Sequence, residues 1–276
     1  MQRWQVGDVT LVRIADVEVD LPADGEVPAW AIPDFAPSPD QVRLAFSAVA
    51  IASGERRIVV DPWLVNDQPR TSPHAHERVE GLLGRLADAG FPAGRVDLVV
   101  NTHIDGFGWN TRPTIDADPS ATRTWAPTFP RARYLFPRAD VDRWRDGGGL
   151  PEAAGLADLV TAGVLDPVDP SDLPVELAPG VSVESAPGHA DGHLAVRIAS
   201  AGALALVPGH LILSPLQVGD PSRSADNDPA LAEVTRRRLL GELADHAGLL
   251  VATLLGGPGG GVVSHQGDGF RLDATS

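Results

Sequence analysis

The chain has 276 residues, a formal net charge of −15, and 43% hydrophobic against 21% charged residues, a composition typical of a soluble globular protein. The acidic charge excludes a nucleic-acid partner from our expectations, because binding to phosphates needs clustered cations. The chain has no cysteine, and its 22 basic residues are all arginine, which excludes disulfides, thiolate nucleophiles and Schiff-base lysines.

The first half of the chain is predicted to begin with strands, at residues 9–14, 43–52 and 57–60. The spacing of apolar residues predicts a helix over residues 77–89 that ends at Gly90. A hydrophobic run at residues 96–100 predicts a buried strand. Residues 111–129 are polar and predict an irregular segment, followed by a short helix at residues 138–145.

The second half repeats this pattern, with short strands predicted at residues 181–185, 194–199, 203–207, 249–255 and 261–264. A helix separates the third and fourth of them, with Asp228 as N-cap, Pro229 at its first position and Gly248 at its C-terminal end. The halves have no linker between them, which predicts a single α/β domain over residues 1–276. Nothing resembles a membrane span or a secretion signal, so we expect a cytoplasmic protein without a membrane partner.

Histidine and aspartate residues gather at four predicted strand ends. They are His103 with Asp105, His189 with Asp191 and His193, His210, and the loop that begins at Asp61. A single histidine is more often structural than functional, but several at equivalent strand ends indicate one shared site. The remaining histidines, at positions 74, 76, 246 and 265, and the arginines at 236–238 are expected on the surface.

Five segments in this order make the chain resemble the metallo-β-lactamase superfamily, in particular its lactonase-like small-molecule hydrolases. They are residues 61–67, 101–112, 187–193, 209–217 and 257–258. The resemblance covers nearly the whole chain. It implies an αββα sandwich, in which two mixed β-sheets pack face to face and the helices lie outside.

Members of this superfamily carry two metal ions on a His-x-His-x-Asp-His loop, a later His, a bridging Asp and a final His. The resemblance places His103 at the first His and His189 at the later one. The loop here is two residues shorter, so Asp105 matches either the second His or the Asp. If Asp105 keeps the role of the Asp, Gly106 stands where the last His of the loop would be.

The two remaining ligand positions are also changed. His210 stands in place of the bridging Asp, and Leu254 falls at or next to the final His. Because neither glycine nor leucine can bind a metal, the resemblance implies that the dinuclear centre is lost. His193 matches a supporting residue of the superfamily, whereas Asp191 is expected at the surface.

Three interpretations of the remaining His103, Asp105, His189 and His210 stay open. The first is a remodelled enzyme without a cofactor, which acts on a small organic molecule by His/Asp acid–base chemistry, as a hydrolase, lyase or isomerase. Natural-product biosynthesis is the setting we expect for it, and an oligomer is compatible with the sequence. The second is a hydrolase of an ester, lactone or thioester that holds one zinc or similar ion with these four residues. The third is a pseudoenzyme that binds a small molecule without catalysis.

Overall fold

The first of two seven-stranded sheets is built by the N-terminal half of the chain. The computed structural model describes residues 1–62, 75–104, 109–114, 124–147 and 155–275, and for 75–78 the backbone alone. The strands of this half are β1 (Gln2–Val6), β2 (Val9–Pro22), β3 (Gln41–Ser53), β4 (Arg56–Val60), β5 (Leu98–Val100), β6 (Thr111–Pro113), β7 (Trp125–Pro127), β8 (Arg133–Pro137) and β9 (Leu165–Val168). The sheet has the order β1-β2-β3-β4-β5-β8-β9, and β6 pairs with β7 separately.

The second sheet follows the chain from strand to strand in the order β10 to β16. Its strands are β10 (Val175–Ala178), β11 (Val181–Ser185), β12 (Leu194–Ser200), β13 (Ala203–Val207), β14 (Leu249–Val251), β15 (Gly260–Gln266) and β16 (Gly269–Ala274). The pair β13–β14 is parallel. In the first sheet β4, β5, β8 and β9 run parallel to one another. Parallel strands end at the same edge, so these runs place several loops side by side.

The two sheets face each other across one hydrophobic cluster. It includes Leu11 and Ile51 of the first sheet and Val196 and Val207 of the second, all with an exposed fraction of 0%. The inward positions alternate with others along each strand, as expected for a sheet packed on both faces. Burial of this layer removes apolar surface from water and stabilises the pairing of the sheets.

The helices cover the outer faces of the sheets. They are α1 (Ala75–Asp88), α2 (Arg138–Arg145), α3 (Leu156–Thr161), α4 (Pro215–Gly219) and α5 (Pro229–Asp245). Leu82 of α1 and Leu159 of α3 share a buried cluster with Val99 of the first sheet. Leu239 of α5 is buried with Leu206 of the second sheet. The predicted αββα sandwich is therefore confirmed.

Most predicted elements occur at or near their expected bounds, with two exceptions. The strand predicted at residues 249–255 ends at Val251. Helix α2 has the predicted bounds, and Asp228 caps α5 by accepting a hydrogen bond of 3.0 Å from the backbone N–H of Leu231. The segment 111–129 was wrongly predicted as irregular, because its ends form β6 and β7. Among the described helices, none is long and apolar enough to cross a membrane.

Candidate metal centre

The first part of the site forms where the parallel strands β4 and β5 end together, since Val60 pairs with Val100. Asp61 follows β4 directly, with a φ of 43° that few residues other than glycine adopt. Its Oδ1 accepts a hydrogen bond of 2.8 Å from the backbone N–H of Thr102, and its Oδ2 accepts one of 2.9 Å from the Thr102 hydroxyl. The carboxylate therefore fixes the segment that carries His103.

The hydrogen bond from Thr102 to Asp61 also determines which ring nitrogen of His103 carries the proton. A carboxylate can only accept, so the single hydroxyl proton of Thr102 is donated to Asp61. The Thr102 oxygen lies 3.1 Å from Nδ1 of His103 and must accept the proton of that nitrogen. His103 thus carries its proton on Nδ1 and keeps the lone pair of Nε2 for a metal ion or a substrate.

Further hydrogen bonds hold the chain on both sides of residues 105–108. The backbone N–H of Ile104 donates to the buried carboxylate of Asp140 in α2 at 2.8 Å. The amide of Asn110 donates to Oδ1 of Asn101 at 2.9 Å. Ile104 and Asn110, on either side of this range, are therefore fixed to the scaffold. Asp105 and Gly106 lie outside the described residues.

His189 enters the site from the second sheet, after β11. The preceding Gly188 has a φ of 126°, and an added Cβ would lie 2.4 Å from the backbone of Ala232 in α5, so the chain can approach the helix only with glycine here. Nδ1 of His189 lies 3.0 Å from Oδ1 of Asp226. As a carboxylate must accept, His189 also carries its proton on Nδ1 and leaves Nε2 available.

Asp226 is suited to this role because it remains ionised. Burial raises the pKa of this carboxyl, but hydrogen bonds from His189, Ser224 and Arg236 together hold it below its usual value. The carboxylate–histidine pair is the arrangement that commonly orients an imidazole toward a metal ion.

His210 lies on the 3-10 turn of residues 209–211, directly after β13. Gly209 has a φ of 56°, and an added Cβ would lie 2.4 Å from the Thr102 hydroxyl and 2.9 Å from Nε2 of His193. The backbone N–H of Leu194 in β12 donates to the carbonyl of Thr102 at 2.9 Å. The two sheets are therefore joined directly at the site, and glycine allows the turn to approach.

These elements bring three predicted site residues together. One ring nitrogen each of His103, His189 and His210 lies within 4.8 Å of the other two. The ring centroids are 4.5 Å apart for His103 and His210, 4.9 Å for His103 and His189, and 5.4 Å for His189 and His210. His103 and His210 are buried, and His189 is partly exposed, so the cluster can be reached from one side.

Burial disfavours the charged form of the two buried rings, His103 and His210. Burial lowers the pKa of His103 well below 6.5, and the neighbouring His189 and Arg143 lower it further. Burial likewise lowers the pKa of His210, with contributions from His103, His189 and His193. An imidazole must be neutral to bind a metal ion. Three imidazoles that lie this close together could bind a metal ion such as zinc.

His193 is a neighbour of this group of three. Its ring is fully buried, 5.1 Å from the ring of His103 and 5.6 Å from that of His189. Burial also lowers its pKa well below 6.5. This position agrees with a supporting role, which stays a prediction.

The other predicted residues that the structure describes lie where their chemistry suggests, with one correction. His74 and the side chain of His76 lie outside the described residues. Asp191, His246 and His265 are exposed, as expected. Leu254 is buried, and its carbonyl accepts a hydrogen bond of 2.9 Å from the backbone N–H of Ala45. Arg236 was wrongly expected on a solvated face, because its side chain is fully buried.

Two residues of the site, Thr102 and Asp226, were not predicted from the sequence. Thr102 lies next to a predicted ligand, and this position was a usable signal. Asp226 precedes the N-cap of α5 by two residues, and nothing local in the sequence links it to His189.

Comparisons with known proteins place the chain by its fold. No protein-family model matches it, and no curated protein matches it in sequence. Solved structures do match over nearly the whole chain. AidC, a dizinc quorum-quenching lactonase, has 19% identity and a TM-score of 0.73, covering 100% of this chain and 97% of its own.

Two further structures agree. The hydrolase AbOPH of the β-lactamase superfamily has 16% identity and a TM-score of 0.74, covering 99% of this chain and 97% of its own. A probable metal-dependent hydrolase from Staphylococcus aureus has 14% identity and a TM-score of 0.67, covering 99% and 100%. These likenesses show that the chain has the metallo-β-lactamase fold.

Proposed function

We propose that this chain is a hydrolase that holds one divalent metal ion, best matched by zinc, with His103, His189 and His210. The observation that carries the proposal is the approach of one nitrogen from each of these rings to within 4.8 Å of the others. The substrate class that fits is a small organic ester, lactone or thioester. The structural neighbours that are lactonases or metal-dependent hydrolases support this reaction class.

In this proposal the side chains of the protein bind the metal ion and orient the imidazoles that hold it. Asp61 accepts a hydrogen bond from Thr102, whose oxygen in turn contacts Nδ1 of His103. Asp226 contacts Nδ1 of His189 directly. The Nε2 lone pairs of both rings are therefore directed away from the supporting carboxylates. A metal ion held there would polarise a carbonyl group and lower the pKa of a bound water. Three protein ligands leave a position for that water or for the substrate.

The alternative acid–base mechanism without a metal fits these residues less well. An imidazolium acid is disfavoured at His103 and at His210, because burial lowers the pKa of both rings. A setting in natural-product biosynthesis and a cytoplasmic location stay predictions from the sequence.

The metal content of the protein tests the proposal. Metal-free protein is dialysed against Zn²⁺, and bound zinc is measured together with hydrolysis of p-nitrophenyl acetate and of N-hexanoyl-homoserine lactone. We expect one equivalent, lost in His103→Ala, His189→Ala and His210→Ala. The exposed His246→Ala serves as the matched control.

Each other result would overturn the proposal in a different way. Two equivalents would indicate a dinuclear centre. Hydrolysis without bound zinc would indicate acid–base chemistry. Neither zinc nor hydrolysis would indicate a binding protein.

A further inference from the structure

Arg236 of α5 is a fully buried arginine beside the candidate metal centre. Its Nε donates a hydrogen bond of 2.7 Å to the carbonyl of Leu211, and its Nη1 donates one of 2.9 Å to the carbonyl of Pro221. Its Nη2 donates to Oδ2 of Asp226. Neither side chain of this ion pair is exposed to solvent.

The partners of Arg236 connect two of the three candidate ligands. Leu211 follows His210 on the same 3-10 turn, and Asp226 accepts the Nδ1 proton of His189. One planar guanidinium therefore contacts the backbone next to one ligand and the carboxylate that orients another. Lysine has a single ammonium group and cannot present this fork of donors.

The contacts of Asp226 divide between its two oxygens. Oδ2 accepts from Arg236 and, at 2.7 Å, from the hydroxyl of Ser224. Oδ1 faces His189. Because Oδ2 is held by two donors, the carboxylate cannot turn, and Oδ1 stays directed at the imidazole.

A buried ion pair is a weak source of stability, since apolar residues of similar volume often do as well. Its use here calls for a role that apolar side chains cannot take. We propose that Asp226 and Arg236 form a positioning pair that sets His189 and His210 toward the metal ion, an inference that rests on the proposed function. Neither residue is a ligand in this arrangement.

The first test uses Asp226→Asn, which keeps the shape of the side chain and removes its charge. We expect zinc affinity, measured by competition with a chromophoric chelator, to fall about 10- to 100-fold. In the metal-free protein, the ¹⁵N shifts of His189 should move from a protonated Nδ1 toward a mixture of tautomers. Glu242→Gln is the matched control, because Glu242 lies on the same helix and pairs with Arg197; it should change neither reading.

The double variant Asp226→Leu with Arg236→Met separates positioning from stability. The apolar pair should give a melting temperature equal to that of the parent protein. Zinc should still bind to the double variant at least tenfold more weakly than to the parent. Parent-like zinc affinity in the folded double variant would overturn the inference, as would unchanged His189 shifts in Asp226→Asn. If the parent binds no zinc, the proposed function fails, and the shifts of the metal-free protein still decide the positioning of His189.

Discussion

The rings of His103 and His210 lie 4.5 Å apart between centroids, although one follows a strand of the first sheet and the other a strand of the second. The sequence predicts that His210 takes the place of a bridging carboxylate of the superfamily, and this stays a prediction. A neutral imidazole offsets no charge where two divalent ions would meet, whereas a carboxylate does. Such an exchange would favour one ion over two, which is the number of ions in the proposed function.

The hydroxyl of Thr102 is the first point at which the site can be tested. In Thr102→Val the shape remains, but a buried oxygen of Asp61 loses the hydroxyl donor of Thr102, and Nδ1 of His103 loses the Thr102 oxygen as an acceptor. We expect the free energy of unfolding to fall by about 1–3 kcal/mol and zinc affinity to fall about 10- to 100-fold. Urea denaturation and chelator competition measure the two effects.

Two other substitutions of threonine provide the controls. Thr102→Ser keeps a hydroxyl and should retain most of the zinc affinity. Thr10→Val removes an exposed hydroxyl that donates to Gln5 and should change stability by less than about 0.5 kcal/mol. Equal zinc affinity in Thr102→Val and the parent would show that Asp61 does not act through Thr102.

Gly209 tests whether the turn that carries His210 must lie this close to Thr102. In Gly209→Ala the new Cβ would lie 2.4 Å from the Thr102 hydroxyl, so either the turn or Thr102 must move. Gly202→Ala is the matched control, because Gly202 also has a positive φ, of 82°, but no atom within 4 Å of the added Cβ.

In both glycine variants the free energy of unfolding should fall by about 1–3 kcal/mol, because alanine disfavours the positive φ. Only Gly209→Ala should in addition weaken zinc binding and lower the melting temperature further. Equal losses in the two variants would contradict the close approach.

Added zinc should stabilise the folded protein, because the three histidines come together only after folding. Free Zn²⁺ at 100 times its dissociation constant should raise the free energy of unfolding by about 2.7 kcal/mol. Thermal melting with and without zinc measures this effect. The increase should vanish in His189→Ala and persist in His265→Ala, whose side chain is exposed. An equal increase in both variants would place the zinc elsewhere.

The fold was predictable from sequence because its signals are local or ordered along the chain. Asp228 and Pro229 mark the start of α5, and the structure has that start. His103, His189 and His210 each follow an apolar run, and strand ends at one rim of a sandwich bring such residues together. The position of these histidines at strand ends therefore predicted that they lie together, and their role as ligands stays a proposal.

The supporting groups could not be predicted in the same way. Arg236 lies in a run of three arginines that looks solvated, yet its partners are the carbonyls of Leu211 and Pro221 and the carboxylate of Asp226. These contacts depend on how the loop before α5 folds back on the turn of His210. The short strands β6 and β7 were missed for a related reason, because only their mutual pairing makes them strands.

The buried histidines should make the stability of the metal-free protein depend on pH in one direction. The pKa values of His103, His193 and His210 are lowered well below 6.5 in the folded state. Above pH 6.5 neither state binds protons at these groups. Below it the unfolded chain takes up protons that the folded protein does not, so stability falls as the pH is lowered.

Each proton that only the unfolded chain binds changes the free energy of unfolding by about 1.4 kcal/mol per pH unit. Three histidines therefore give this free energy a slope against pH of up to about 4 kcal/mol per pH unit. Urea denaturation of metal-free protein between about pH 5 and 7.5 measures this slope. His193→Leu should reduce this slope by the contribution of one proton. The variant should still bind one equivalent of zinc, since His193 is outside the group of three. The exposed His246→Asn should leave the slope unchanged. An unchanged slope in His193→Leu would mean that His193 is protonated in the folded protein, and loss of zinc in that variant would make it a ligand.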